Sequence, residues 1–127
     1  MKILVPYDGT EHTKVALENS VDIAREYDGL LKVLHVYWDP NVREYGKTEV
    51  RDRYSLQLLS KIKPMLERSN IMYELLSRHD PDTFKTVLKT AEEEDVDLVV
   101  PGKRGFDDSF LESARAINES DRAVLLV

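Results

Sequence analysis

The chain has 127 residues, 42% hydrophobic and 33% charged, with a net charge of −6 and no cysteine. This length suits one domain over residues 1–127 with a buried core, and the acidic balance argues against sequence-independent binding of nucleic acid or anionic lipid, both of which rest on a basic surface. Without cysteine, disulfide frameworks, thiol catalysis and Cys-based zinc sites are excluded, and the expectation is a cytoplasmic protein in a reducing compartment.

The start, MKILVPYDG, does not read as a secretory leader, because its apolar run stops at Pro6. No stretch approaches the roughly 20 apolar residues of a membrane span. KILVPY (2–7) instead reads as a buried strand closed by the turn residues Asp8-Gly9-Thr10. Ala16, Leu17, Ser20, Val21, Ile23, Ala24 and Tyr27 then recur at helical spacing. The expected helix runs from Glu11 to Tyr27, with Thr10 as N-cap and Asp28-Gly29 as its stop. LLKVLHVYW (30–38) is the second expected strand, and DPNVREYGK (39–47) a loop.

From Thr48 to Asn70 the pattern is again helical, with Pro64 placed to bend it. IMYELLS (71–77) is the third expected strand. Asp80 as N-cap and Pro81 at the first helical position predict the start of a third helix, with Phe84, Val87, Leu88 and Ala91 on its buried face and the run EEED (92–95) as its solvated end. DLVVP (97–101) is the fourth strand. Ser109 and Glu112 form a capping box for a short last helix, and RAVLLV (122–127) is the fifth strand.

Strands alternating with amphipathic helices predict an α/β fold: a doubly wound, five-stranded parallel sheet with helices on both faces. In such sheets ligands sit beyond the carboxyl ends of the strands, where strand order reverses. Two loops fall on that edge, YDGT after the first strand and GKRGFDDS after the fourth.

At these loops the chain resembles the universal stress protein family. The resemblance rests on KILVPYDGTEHTKVALENSVDIA at the start, VLHVY in the second strand, DLVVPGKRG after the third helix and the terminal AVLLV. It implies strand order 3-2-1-4-5, the adenine-nucleotide alpha-hydrolase-like fold, a cytoplasmic regulator in stress response and a homodimer paired through the last strand. Ala123, Val124, Leu125, Leu126 and Val127 are the implied dimer residues, and an apolar edge strand is one that a soluble protein pairs or covers.

Members that bind ATP resemble one another in a motif of Gly, two residues, Gly, nine residues, then Gly and Ser or Thr. Gly102 and Gly105 match its first half. Nine residues further stand Arg115 and Ala116; aligned from the last strand, the pair is Phe110 and Leu111. Under either count the second half is absent. Asp107, Asp108 and Glu112 occupy that region, favouring the helix dipole by roughly 0.3–1 kcal/mol each and repelling phosphate. The sequence therefore predicts that ATP binding is weakened or lost, and no cofactor is fixed beyond an implied adenine nucleotide.

The resemblance gives Pro6, Tyr7, Asp8, Val36, Gly102, Lys103, Arg104 and Gly105 as nucleotide-binding candidates. Each also has a plainer role. Asp8 with Gly9 is a common turn pair, Val36 suits a core, and two glycines suit a tight bend. His12, His35 and His79 are scattered without metal-ligand spacing. No Walker A loop and no Gly-x-Ser-x-Gly elbow is present, so no catalytic residue is expected. A slow nucleotide hydrolase at the same cleft is the competing reading. A phosphoacceptor receiver domain is disfavoured because Asp8 stands alone after the first strand.

Overall fold

The computed structural model describes residues 1–40, 46–48, 53–102 and 123–124. Its elements in chain order are β1 (Lys2–Pro6), α1 (Glu11–Glu26), β2 (Leu30–Tyr37), β3 (Gly46–Thr48), α2 (Arg53–Arg68), β4 (Met72–His79), α3 (Thr83–Glu93), β5 (Leu98–Val99) and β6 (Ala123–Val124). They form one sheet in the order β3-β4-β2-β1-β5-β6. All ladders are parallel except that of β3, which runs antiparallel to the last three residues of β4. Over the five parallel strands the order is the expected 3-2-1-4-5.

The strand β3 is an addition the sequence did not announce. Gly46-Lys47-Thr48 is too short and polar to show any periodicity, and Thr48, expected to begin a helix, pairs with Ser77 instead. A short edge strand carrying a lysine is a common way to end a sheet. The helix begins at Arg53 and keeps Pro64 inside it.

Alternation along the strands splits the core into two layers. Ile3, Val5, Leu31 and Val33 meet Ala16, Leu17 and Val21 of α1 and Leu59, Ile62 and Leu66 of α2 on one face. Leu4, Leu34 and Val99 meet Val87 and Ala91 of α3 on the other. Helices on both faces are what a parallel sheet with crossovers requires.

The helix ends share one device. Asp28, Asn70 and Asp95 follow α1, α2 and α3 with φ of 51°, 55° and 51°. Aspartate and asparagine tolerate the left-handed conformation that turns a chain out of a helix. The expected stop at Asp28-Gly29 therefore holds, with Asp28 taking the left-handed turn. Gly29 serves a different end: a Cβ there would lie 3.1 Å from the Met1 carbonyl oxygen.

The start of α3 differs from expectation. Asp80 N–H still donates to the Tyr37 carbonyl at 3.0 Å, so the chain has not yet left the sheet. Asp80 Oδ1 accepts Asp82 N–H at 2.8 Å, and Asp82 is the N-cap, accepting Lys85 N–H at 3.0 Å. Pro81 lies in the turn between them. The acidic run that closes α3 is also not fully solvated. Glu94 Oε2 pairs with Lys32 Nζ at 3.1 Å and Glu94 Oε1 with Arg78 Nη2 at 3.5 Å, both cations being buried on the α3 face of the sheet.

Candidate functional site

β1 lies between β2 and β5, and the crossovers on its two sides run over opposite faces. The carboxyl end of β1 is therefore the point of strand-order reversal where such folds open a crevice. Pro6 is its last residue, paired with Leu34, and Tyr7 N–H extends the ladder to the Leu34 carbonyl at 2.8 Å. Continuing that register sets Asp8 level with Val36.

Asp8 is fixed by its own turn. Its Oδ1 accepts Thr10 N–H at 2.9 Å, the Thr10 hydroxyl, and the Thr13 hydroxyl at 2.9 Å. Gly9 makes this turn with φ of 85°, a conformation that disfavours a side chain. Among the described residues Oδ2 has no partner. Burial works to raise the carboxyl pKa, but the Thr10 and Thr13 bonds and the nearby His12 outweigh it and hold Asp8 below the usual range. Asp8 is thus a fixed anion with one oxygen committed to the turn and the other available.

The expected N-cap, Thr10, stands at the start of α1. Its side chain makes no cap bond to the helix. Its hydroxyl donates to Asp8 and lies 3.3 Å from His12 Nε2.

Gly102 meets α1 from the other side of β1. A Cβ on Gly102 would lie 2.7 Å from His12 Cδ2 and 2.9 Å from the His12 carbonyl oxygen, contacts that no larger residue could make. The glycine therefore brings the chain after β5 against the first turn of α1. Nothing local marks His12 for this role, because its partner is ninety residues away in sequence.

The remaining candidates separate. Tyr7 joins the core layer under α1 and α2 at 6% exposure, and burial followed by the Asp8 charge raises its phenol pKa. Val36 is half-buried against the α3-side core. Lys103, Arg104 and Gly105 lie outside the described residues, as do Asp107, Asp108, the Ser109–Glu112 capping box and Leu125–Val127. Ala123 and Val124 pair with Leu98 and Val99 in β6.

At the ends of β2 and β4, beside the β1 edge, stands an aromatic column that the sequence did not reveal. His35 and Tyr37 stack at 5.7 Å, Tyr37 meets His79 at 4.9 Å, and His79 stacks on Trp38 at 4.7 Å with 19° between planes. Ser55 of α2 lies 2.7 Å from His35 Nδ1 and 2.6 Å from Ser77 Oγ, which anchors the base of the column. Strand alternation puts His35 and Tyr37 on one face, and β-pairing brings His79 beside Tyr37, so only the topology shows the rings as a unit. Among the described residues no group of three or more His, Cys, Asp or Glu side chains is placed to hold a metal, and no helix is long and apolar enough to cross a membrane.

A family model described as the universal stress protein family matches residues 1–126. No curated protein matches the chain. Solved structures do. A universal stress protein family protein from Burkholderia pseudomallei shares 19% identity at a TM-score of 0.73, covering 99% of this chain and 94% of that one. The universal stress protein from Archaeoglobus fulgidus in complex with dAMP shares 18% identity at a TM-score of 0.71, covering 99% and 96%. A family protein from Arabidopsis thaliana with AMP bound shares 19% at a TM-score of 0.69, covering 100% and 90%. A doubly wound sheet whose strand order reverses at β1, matched along nearly its whole length, defines the class, and the chain belongs to the universal stress protein family.

Proposed function

We propose that this chain is a ligand-responsive regulator of the stress response, whose crevice at the end of β1 takes an adenine nucleotide with a single phosphate. The observation that carries this reading is Asp8: its Oδ1 is held by Thr10 and Thr13, and its Oδ2 has no partner among the described residues. A fixed acceptor of this kind suits the hydroxyls of a ribose or the amine of a base. Gly102, resting on His12 across β1, brings backbone to the same edge, where N–H groups suit a phosphate. The AMP- and dAMP-bound relatives support the ligand class.

The reading includes weakened ATP binding, supported by the acidic residues Asp107 and Asp108 that follow Gly105 in place of the second half of the ATP motif. It also includes the absence of a chemical step. A carboxylate held below its usual pKa is a poor proton acceptor, because general bases work best with a pKa near the operating pH. The protein would act in the cytoplasm as a homodimer paired through Ala123–Val127, with Lys103, Arg104 and Gly105 lining the phosphate end.

Titration calorimetry tests the site. AMP is expected to bind, ATP to bind at least about tenfold more weakly, and Asp8→Asn to weaken AMP by about tenfold, the loss of one charge-assisted bond. ATP binding tighter than AMP would overturn the single-phosphate reading, and nucleotide turnover lost in Asp8→Asn would replace it with a hydrolase. Sedimentation of the purified chain tests the dimer.

A further inference from the structure

We propose that His12 makes ligand binding at the end of β1 pH-dependent, its imidazolium strengthening the hold on a phosphate-bearing ligand as pH falls. This rests on the reading of that edge as an adenine-nucleotide site and adds a means of regulating it.

Two contacts place the His12 ring. Nε2 lies 3.3 Å from the Thr10 hydroxyl oxygen, and Cδ2 is the atom that a Cβ on Gly102 would meet at 2.7 Å. The ring therefore stands between the Asp8 turn and the backbone after β5, the end of the proposed site that takes the phosphate. Thr10 has one hydroxyl proton, and its contact with the Asp8 carboxylate is shorter than its contacts with Thr13 at 3.1 Å and His12 at 3.3 Å. A hydroxyl bonded to an ionised carboxylate is the shorter and stronger arrangement, so that proton goes to Asp8. Toward His12 the Thr10 oxygen is then an acceptor, and Nε2 carries a hydrogen. This leaves Nδ1 as the nitrogen that gains or loses a proton. Among the described residues Nδ1 has no partner.

The charges around the ring set the sign of the effect. Asp8, on the turn between β1 and α1, is bonded to the same hydroxyl, and its charge favours the imidazolium. Glu11 and Lys14 flank His12 on α1 itself, both exposed. From the β5 side the contact is Gly102, which carries no charge; Lys103 and Arg104 follow it outside the described residues. The start of α1 works against a cation, through the helix dipole. An arriving phosphate adds a second negative charge to that of Asp8 and tips the balance toward the imidazolium. Protonation and anion binding then favour each other by the same factor, as linkage requires. Histidine is the side chain whose charge changes between about pH 5 and pH 8, so the gain falls in that interval. A ligand without phosphate has no charge to meet the imidazolium.

The test uses the full chain with cyclic AMP and adenosine as probes, read by titration calorimetry from about pH 8 down to about pH 5.5. Cyclic AMP keeps one negative charge throughout, whereas a phosphate monoester such as AMP takes up a second proton at about pH 6. AMP is the further probe, because its own titration cancels when parent and variant are compared at one pH. Cyclic AMP is expected to bind about fivefold more tightly at the acid end, the size of one ion pair near a surface, and adenosine to change by less than about twofold. His12→Gln keeps an N–H able to donate to Thr10 but stays neutral. It is expected to match the parent at the alkaline end and to lose the acid gain. His12→Lys is charged throughout. It is expected to bind cyclic AMP about fivefold more tightly than the parent at the alkaline end, with no further gain on acidification, and it decides the matter should His12→Gln fold poorly. A parent affinity for cyclic AMP that is flat with pH, a gain that survives in His12→Gln, or a gain shared equally by adenosine overturns the role of His12 and leaves the nucleotide site standing. Should AMP alone bind, equal affinity of parent and His12→Gln at the acid end does the same. Absence of binding of both nucleotides to the parent at every pH overturns both.

Discussion

On the face covered by α1 and α2, the sheet buries Ile3, Val5, Leu31 and Val33 against aliphatic side chains of two helices. On the face covered by α3, the same strands bury Leu4 and Leu34 beside two cations, Lys32 and Arg78, at 4% and 3% exposure. The first layer is stabilised by area, which is non-directional and tolerant of small shifts. The second is stabilised partly by ion pairs, which hold only if α3 ends in one place. Glu93 and Glu94 sit at the C-terminus of α3, where the helix dipole disfavours acids. Lys32 and Arg78 reverse that preference, so the end of α3 is located by charge as well as by packing. One sheet is thus held on one side by apolar bulk and on the other partly by placed charge.

The largest effect expected from breaking this contrast is on the apolar side. Leu59 is fully buried, and Leu59→Ala should cost about 3 kcal/mol in urea unfolding with little change in slope. On the polar side, Glu94→Gln should cost about 2 kcal/mol, because Arg78 and Lys32 remain buried with less compensation and Glu74 still holds Lys32 at 2.8 Å. The two losses should also differ in pH dependence. Burial alone would lower the Lys32 pKa, but Glu74 and Glu94 outweigh it and raise it. Its contribution is therefore complete below the ordinary lysine value of about 10.4 and is lost as pH rises through the higher folded value. Stability measured from pH 9 upward should fall more steeply in the parent than in Glu94→Gln, while Leu59→Ala should keep the parent's slope.

A smaller effect sharpens the comparison at the helix ends. Asp28, after α1, is exposed and left-handed, so Asp28→Gly should raise stability by roughly 0.5 kcal/mol in the same unfolding assay. Asp95, after α3, has the same conformation but makes further interactions, so Asp95→Gly should gain less. Equal gains at both ends would mean that the α3 terminus is held no more specifically than the α1 terminus.

Much of this was legible in the sequence, and the boundary is physical. Strands and helices with a long period, from KILVPY to TFKTVLKTA, announce themselves because each buries a face whose spacing is fixed by the backbone. The short strand β3 does not, since three polar residues have no period. Asp8 was legible as a turn residue with a ligand-facing alternative, and the structure gives its two oxygens separate circumstances. Gly102 was legible as a glycine of a motif, but its contact with His12 was not. The partnership of Glu94 with Lys32 spans 62 residues, and EEED reads locally as solvated charge. The aromatic column was hidden for the same reason: β-pairing brings Tyr37 and His79 together, and no local pattern encodes that pairing.

The smallest expected effect concerns Asp8, which belongs to neither layer. Its folded pKa is depressed, so its contribution to stability is complete above the ordinary aspartate value of about 4 and is lost as pH falls through the lower folded value. Asp8→Asn keeps an oxygen able to accept from Thr10 and Thr13 but removes the charge, so the turn should persist at neutral pH. The variant should therefore unfold close to the parent at pH 7 and lose less stability between pH 4 and pH 2, with amide exchange at Thr10 as the local readout. A large loss at pH 7 would mean that the charge is needed to fold the turn. A small one, together with weakened AMP binding, would mean that the fold needs the oxygen and the ligand needs the charge.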